Sequence, residues 1–181
     1  KNDKLASKVV LAVFQYFEQL TIQSSFSGDI DKLSKLMFHL YAFKREDLAN
    51  KVPSFIEDDQ YQALLHVAVA EYFIQKQPSI ADDYLLKAKT CIKESKWLED
   101  HLKVSLKIHS LYEMNGKHEK ANKELQTVVN YLLKGSHISD SEYSDPNLEL
   151  KNFLYEDVID KLLENNLVKQ AREIADSVKY H

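Results

Sequence analysis

Seven histidines and a single cysteine are among the side chains of this chain that could bind a metal ion or act as a nucleophile. His101 and His109 lie on one predicted helix. Two helical turns separate them by about 12 Å, which is too far for both to bind one metal ion. His118 follows after a predicted turn. We therefore predict surface histidines and expect no metal ion and no other cofactor.

Cys91 falls near the end of a predicted helix, and no arrangement of Lys and His around it favours a reactive thiolate. A single cysteine excludes an internal disulfide bond and is typical of a reducing compartment, so we expect a cytoplasmic protein. The sequence contains no glycine-rich phosphate loop, no His-Glu-x-x-His motif and no Gly-x-Ser-x-Gly motif. These observations predict that the chain is not an enzyme.

The helices that would hold these residues repeat along the sequence. Three stretches align without gaps, and each has the apolar spacing of two helices joined by a turn. A small alanine recurs at the twentieth position of each stretch, where the second helix must approach the first closely: Ala81, Ala121 and Ala171. The stretches are Gln62–Ala88, Leu102–Val128 and Asn152–Val178. Such units bury their apolar faces against their neighbours.

The residues between the paired helices support this alignment. The turns contain Pro78, Asn115-Gly116 and Asn165-Asn166, which stop a helix or accept a positive φ. We expect Ser79 to cap the helix that follows Pro78.

A fourth, degenerate unit precedes these three. It places Ala49 at the recurrent alanine position, and its second helix is short because Pro53 cannot lie in a helix interior. Asp58 and Asp59 then offer caps for the first clear unit.

The predicted fold is all-α, a helical-hairpin solenoid of about three to four repeats with about eight or nine helices. Only 3 Gly and 3 Pro are present, which disfavours a β-rich fold with many tight turns. We expect one domain over 1–181, with a leading helix at 1–29, a degenerate repeat at 30–61, and repeats at 62–101, 102–151 and 152–181. Gly135–Leu148 is interpreted as a loop or hinge. Because the first residue is Lys, we expect a segment of a longer protein.

The aligned residues resemble a tetratricopeptide (TPR) repeat, over residues 30 to 178. The resemblance is carried by Tyr72 and Tyr112 at the eleventh position, the turn Asn115-Gly116 and the recurrent alanines; the best single match is LYEMNGKHEKANKELQTV, residues 111–128. Trp is absent from the fourth position and Gly from the eighth. The resemblance implies a TPR-like solenoid that binds a protein or a short peptide in its concave groove.

A narrower resemblance is to the peptide-sensing proteins of Gram-positive bacteria of the Rap, PlcR and AimR type. The region from Asp58 to Ala88 is similar to Rap proteins, including His66 and the run Ala70-Glu71-Tyr72-Phe73. This resemblance implies an alternative function, a regulatory sensor domain that binds a short signalling peptide and switches an attached effector. No DNA-binding helix-turn-helix is recognisable in the sequence.

In TPR arrays the first helix of each repeat lines the concave groove, so the resemblance assigns binding residues to those helices. The first patch is apolar, the second mixed and the third acidic. The predicted peptide- or partner-binding residues are His66, Ala70, Phe73, Lys103, Lys107, Ser110, Glu113, Glu156, Asp157 and Asp160.

Charge narrows the class of partner. The net charge is −4, which gives no reason to expect direct contact with nucleic acid. Residues 87–120 hold eight Lys and five acidic residues, whereas residues 139–164 hold eight acidic residues and two Lys. The acidic part should prefer a basic or amide-rich ligand. No apolar run approaches the roughly 20 residues of a membrane span. We expect a protein or peptide partner and no membrane contact, with a homodimer as an open alternative.

Overall fold

The structure is a computed structural model that describes residues 2–23, 30–93, 98–135 and 148–178. Within these ranges it contains nine α-helices and no β-strand, which confirms the predicted all-α fold with about eight or nine helices. The helices are α1 (Asn2–Gln23), α2 (Ile30–Ala42), α3 (Glu46–Ala49), α4 (Asp59–Phe73), α5 (Pro78–Ile92), α6 (Leu98–Met114), α7 (His118–Gly135), α8 (Leu148–Glu164) and α9 (Val168–Val178). A 3₁₀ helix, Val52–Phe55, lies between α3 and α4.

The chain divides into two compact units, Lys1–Ser95 and Lys96–His181. The predicted solenoid arrangement, its likeness to TPR repeats and the single-domain organisation stay predictions. The predicted hinge falls on residues 136–147, which lie outside the described residues.

Three helical hairpins coincide with the three predicted units. They are α4–α5, α6–α7 and α8–α9, and in each the two helices pack against each other. Each hairpin extends a few residues beyond its aligned stretch, because the alignment covers only the positions that all three units share.

Helix α4 begins at Asp59. The carboxylate of the preceding residue, Asp58, accepts a hydrogen bond from the Tyr61 amide at 3.0 Å. Asp58 therefore caps this helix, as predicted.

The prediction that Ser79 caps α5 is wrong. The helix begins at Pro78, and the preceding residue, Gln77, makes no side-chain capping bond. A proline at the first helical position has a suitable φ and needs no backbone donor there. The helix therefore begins one residue before the serine, which lies in its first turn.

Three helices end in the same hydrogen-bonded turn around a residue with positive φ. These residues are Lys44 (55°), Gly116 (68°) and Asn166 (57°). In each turn the next amide donates to the carbonyl five residues earlier, at 2.8 or 2.9 Å. This is the Schellman arrangement of helix ends. The glycine and the asparagine confirm the prediction, whereas the lysine was not predicted because lysine rarely adopts this conformation.

The recurrent alanines are buried at equivalent positions. Their exposed fractions are 0% at Ala49, 0% at Ala81, 0% at Ala121 and 4% at Ala171. Each alanine amide donates to the carbonyl four residues earlier, at 3.0 to 3.2 Å, in the first turn of its helix. The predicted burial of Ala81, Ala121 and Ala171 is confirmed. Ala49, which the alignment places at the equivalent position, is buried as well and ends the short α3 just before the 3₁₀ helix that contains Pro53.

The prediction of surface histidines is wrong for His101 and His109, which are 7% and 2% exposed. The His109 ring donates from Nδ1 to the Ala121 carbonyl at 3.0 Å. A small residue at position 121 leaves its carbonyl accessible from the facing helix, so the imidazole is satisfied inside the hairpin. His101 stacks on Tyr131 with ring centroids 4.6 Å apart.

Each unit has its own apolar core. In the first, α2 contributes Leu33, Met37 and Leu40, all fully buried, and packs against α4. In the second, one cluster joins residues of α6, α7, α8 and α9, with Leu125 and Leu162 among its fully buried members. Helix α1 packs against α2 and the 3₁₀ helix.

Candidate functional site

Helix α1 carries an exposed apolar stripe. Phe14 is buried and lies 5.3 Å, centroid to centroid, from the Phe55 ring of the 3₁₀ helix. This contact anchors one side of α1 to the first unit. The stripe lies elsewhere on the helix surface, with the three- and four-residue spacing of a single helical face. It consists of Leu5 (66% exposed), Val9 (56%), Val13 (38%) and Tyr16 (60%).

Helices α1 and α2 form the walls of a groove with a volume of about 750 Å³. The α1 wall consists of Leu5, Ala6, Val9, Val10, Val13 and Phe17. The α2 wall consists of Lys32, Lys35, Leu36, His39 and Phe43. The α1 wall is therefore wholly apolar, and the polar side chains of the groove lie on α2.

The polar side chains of the groove are basic or neutral. Lys32, Lys35 and His39 line it, and none of the lining residues is acidic. The Lys35 ammonium lies 2.6 Å from the Asp31 carboxylate, but the two side chains are 62% and 72% exposed. An exposed pair of this kind stabilises a helix by only about 0.3–0.5 kcal/mol. A second carboxylate can therefore compete for this lysine at little cost.

On the side of α2 that faces away from the groove, Tyr41 pairs with Tyr84 of α5. Tyr41 lies half a helical turn from the groove residues, and its hydroxyl is 2.7 Å from that of Tyr84 on α5. Burial raises the pKa of both phenols, so the pair is neutral at physiological pH. The Lys87 ammonium lies 4.5 Å from the centre of the Tyr84 ring, and Asn50 Oδ1 is 3.4 Å from both the Tyr84 hydroxyl and the Lys87 ammonium.

His66 lies beside this pair, with its ring centroid 5.5 Å from that of Tyr84. It is 6% exposed, and its Nδ1 has no hydrogen-bond partner among the described residues. Burial, with a smaller contribution from the Lys87 charge, lowers the pKa of His66 to about 4. The imidazole is therefore neutral at pH 7.

The predicted binding residues of the first hairpin lie inside the first unit. His66, Ala70 and Phe73 are 6%, 0% and 3% exposed. The Phe73 ring meets the Tyr41 ring edge to face, with centroids 4.9 Å apart. In this structure these residues fill the space between helices, so ligand contact would require the helices to separate. Their role in binding stays a prediction.

The predicted residues of the second and third hairpins all lie in the second unit. On α6, Lys107 is exposed, and Lys103, Ser110 and Glu113 are half-buried. On α8, Glu156 and Asp160 are exposed and Asp157 is half-buried. One oxygen of Glu113 lies 2.9 Å from His118 Nδ1, and the other is buried without a hydrogen bond among the described residues. The role of these seven residues in binding also stays a prediction.

The groove was not predicted from the sequence. The spacing of Leu5, Val9 and Val13 predicts an amphipathic helix, and such a pattern ordinarily indicates a face that packs on the core. The signal that was available is the position of these residues on a leading helix outside the aligned hairpins.

Cys91 is half-buried, and burial raises the pKa of its thiol, which fits the prediction that it is unreactive.

No protein-family model, curated protein or solved structure matches this chain. Over the part of the chain that the structure describes, no group of three or more His, Cys, Asp or Glu side chains could hold a metal ion. No described helix is both long and apolar enough to cross a lipid bilayer.

Proposed function

We propose that the chain is a non-enzymatic binding module that receives an apolar segment of a partner protein in the groove between α1 and α2. The observation that carries this proposal is the apolar stripe of α1, which is more than one-third exposed at each of its four positions and contributes Leu5, Val9 and Val13 to one wall of the groove. Exposed apolar patches that extend over several neighbouring residues mark interaction sites more often than isolated exposed residues do.

Burial of this stripe supplies a driving force for association. Covering a side chain such as Leu5 or Val9 completely is worth about 1.5–3 kcal/mol, and the exposed fractions of these two residues leave more than half of that gain unused. Several such contacts are needed to offset the loss of translational and rotational freedom on binding. The stripe offers three of them within the groove, Leu5, Val9 and Val13.

The shape and chemistry of the groove favour a protein segment over a small substrate. A site for a small molecule usually buries most of its ligand, whereas the α1 wall of this groove is open to solvent. Its polar groups are Lys32, Lys35 and His39, and the lining contains no hydroxyl, thiol or carboxylate that could act as a nucleophile or acid–base pair. Binding is therefore better supported than catalysis.

A displayed library of random 16-residue peptides, selected on the full chain, tests this function. We expect selected peptides to bind the native chain and to lose most of their affinity for Val9→Lys, which puts a charge on the α1 wall. Val9 is largely exposed, so the substitution should not disturb folding. Gln15→Lys, at an exposed position outside the groove, is the matched control and should bind as the native chain does.

Two results would contradict the proposal. One is selection of peptides that bind Val9→Lys and Gln15→Lys equally well, which would place the binding surface elsewhere. Peptides that respond instead to substitutions on α8, such as Asp160→Asn, would support the binding surface that the TPR resemblance predicts. The other is failure to select any peptide that binds above background.

A regulatory sensor is the second candidate function, and the placement of α2 supports it. One side of α2 lines the groove, and the other carries Tyr41, which is hydrogen-bonded to Tyr84 of α5. A segment that displaces α2 would change this bond, and α5 would sense the occupied groove. Hydrogen exchange with a selected peptide should then alter protection in α5, and Tyr41→Phe should abolish that change. Unchanged exchange in α5 would leave a binding module without this switch.

A further inference from the structure

We propose that the segment held between α1 and α2 is an amphipathic helix with acidic residues along the flank that faces α2. This inference rests on the proposed function and names the class of partner. It is carried by the helical walls of the groove, by its length and by the position of its basic side chains.

The backbone of the walls favours a helical occupant. Both walls are α-helices, so their amides and carbonyls are bonded within each helix and offer no edge to an extended strand. An extended segment would bury its own backbone groups on an apolar surface without partners, which is costly. A helix satisfies its backbone internally and presents only side chains, the mode in which amphipathic helices enter apolar grooves.

The dimensions of the groove set the length of that helix. The lining of α1 runs from Leu5 to Phe17, and that of α2 from Lys32 to Phe43. At a rise of about 1.5 Å per residue these spans correspond to roughly 17–18 Å. A helix of about three turns fits this length, with apolar residues at i, i+4, i+7 and i+11 facing the α1 wall.

The charges of the groove distinguish its two sides. The α1 wall has no charged lining residue, whereas α2 presents Lys32 and Lys35, which are three residues apart on one face. A helix with acidic residues at matching spacing would pair with this face, and a helix with lysines there would meet like charge. Both lysines already interact with other groups of the chain, and the Lys35–Asp31 pair is exposed, so an incoming carboxylate can share the Lys35 ammonium.

Two other occupants fit the groove less well. An anionic membrane would also attract lysines and apolar side chains, but a bilayer surface cannot enter a trough between two helices, where much of the apolar lining lies. A second copy of α1 carries two acidic residues, Asp3 and Glu18, and two lysines, Lys4 and Lys8, so it offers no net negative charge to the lysines of α2. An acidic helix has better charge complementarity than either.

The test uses two displayed libraries on the full chain. The first fixes apolar residues at i, i+4, i+7 and i+11, and the second fixes them at i, i+2, i+4 and i+6. In both, the positions that border the apolar residues are drawn equally from Glu, Gln and Lys. We expect binders from the first library, enriched in Glu along one flank. Binders only from the second library, or no enrichment of Glu over Lys, would overturn this inference while the proposed function stood.

Anisotropy measurements on one selected, fluorescently labelled peptide sharpen the result. Its affinity should fall about tenfold when its glutamates are replaced by lysines. The difference in affinity between the two peptides should become smaller as NaCl is raised from 50 mM to 500 mM. The double variant Lys32→Gln, Lys35→Gln should bind the glutamate peptide several-fold more weakly. Lys51→Gln, an exposed lysine away from the groove, is the matched control and should have no effect.

The remaining outcomes distinguish failure of the acidic-helix proposal from failure of the proposed binding function. If neither these libraries nor the random library yields a binder sensitive to Val9→Lys, the proposed function fails as well. Sedimentation with phosphatidylcholine–phosphatidylserine vesicles that is lost in Val9→Lys would assign the groove to a membrane surface. A dimer in light scattering that Val9→Lys dissociates would assign it to a second copy. Either result overturns the acidic helix.

Discussion

Helices α1 and α7 are both long and amphipathic, yet they differ in what covers their apolar faces. Leu125, Val128 and Leu132 of α7 are fully buried in the core of the second unit. Leu5 and Val9 of α1 are more than half exposed. The spacing of apolar residues defines the apolar face of a helix, and the neighbouring helices decide whether that face is core or remains accessible. The difference makes α1 a candidate for binding and α7 a structural element.

The largest expected effect compares equivalent truncations on these two helices. Leu125→Ala should lower the free energy of unfolding by about 2–5 kcal/mol, because it leaves a cavity in a fully buried cluster. Leu5→Ala should change it by less than about 0.5 kcal/mol, because Leu5 is 66% exposed. Urea denaturation of both variants provides the measurement. Equal losses would show that the α1 face is covered in solution.

A pH dependence is expected from His66 of α4, which is buried beside the ring of Tyr84. The pKa of His66 is lowered from 6.5 to about 4 in the folded state, so the unfolded state binds more protons between these values. The contribution of neutral His66 to the free energy of unfolding is therefore fully present above about pH 6.5. It is lost as the pH falls towards 4, by roughly 3 kcal/mol over the whole window. His66→Gln should remove this part of the pH dependence. Identical pH profiles for native protein and His66→Gln would contradict the buried neutral imidazole.

The next effect compares a buried alanine with an exposed one. Ala121→Leu adds three carbons at a fully buried position between α6 and α7, which should cost about 1–3 kcal/mol. Ala12→Leu adds the same carbons on the exposed surface of α1, outside the groove, and should be nearly neutral. Thermal melts of the two variants measure the difference. An Ala121→Leu protein as stable as the native one would argue against the proposed alignment of the alanines.

The smallest effect concerns the turns that end three of the helices. Lys44 has a φ of 55°, a conformation that costs a non-glycine residue roughly 1–2 kcal/mol. Lys44→Gly should therefore raise the free energy of unfolding by about 0.5–1 kcal/mol, after the greater freedom of glycine in the unfolded chain is deducted. Asn166→Gly should gain less, because asparagine tolerates this conformation better. Chemical denaturation of the two variants would rank them, and a loss of stability in Lys44→Gly would refute the expectation.

Most of the fold was predictable because it depends on local patterns. Apolar spacing located the hairpins, and Gly116 and Asn166 indicated the ends of α6 and α8 because their residue types accept positive φ. Ala49 was placed in register by alignment alone. Lys44, five residues before it, occupies the position equivalent to Gly116 and Asn166 and makes the same turn. The turn at Lys44 could not be predicted from the residue type, because lysine disfavours positive φ. In this turn the hydrogen bonds override that preference.

The candidate site was not predictable, because it depends on which surfaces are covered. The residues that the TPR resemblance selects on α4, such as Ala70 and Phe73, are enclosed by neighbouring helices. The stripe of α1 has the same residue types as a core-facing helix and differs in staying exposed among the described residues. His109 is the opposite case, a polar side chain that is buried. Its burial depends on a hydrogen bond to the backbone carbonyl of Ala121 on the facing helix.

The hydrogen bond between His109 and Ala121 also fixes the tautomer of the ring. A carbonyl can only accept, so Nδ1 must carry the hydrogen, and in the neutral form Nε2 keeps its lone pair. Free neutral histidine mixes both tautomers, and the two differ in their nitrogen chemical shifts. The ¹⁵N spectrum of this side chain therefore reports whether α6 and α7 are in contact in solution, and a mixture of tautomers would reveal a hairpin that opens.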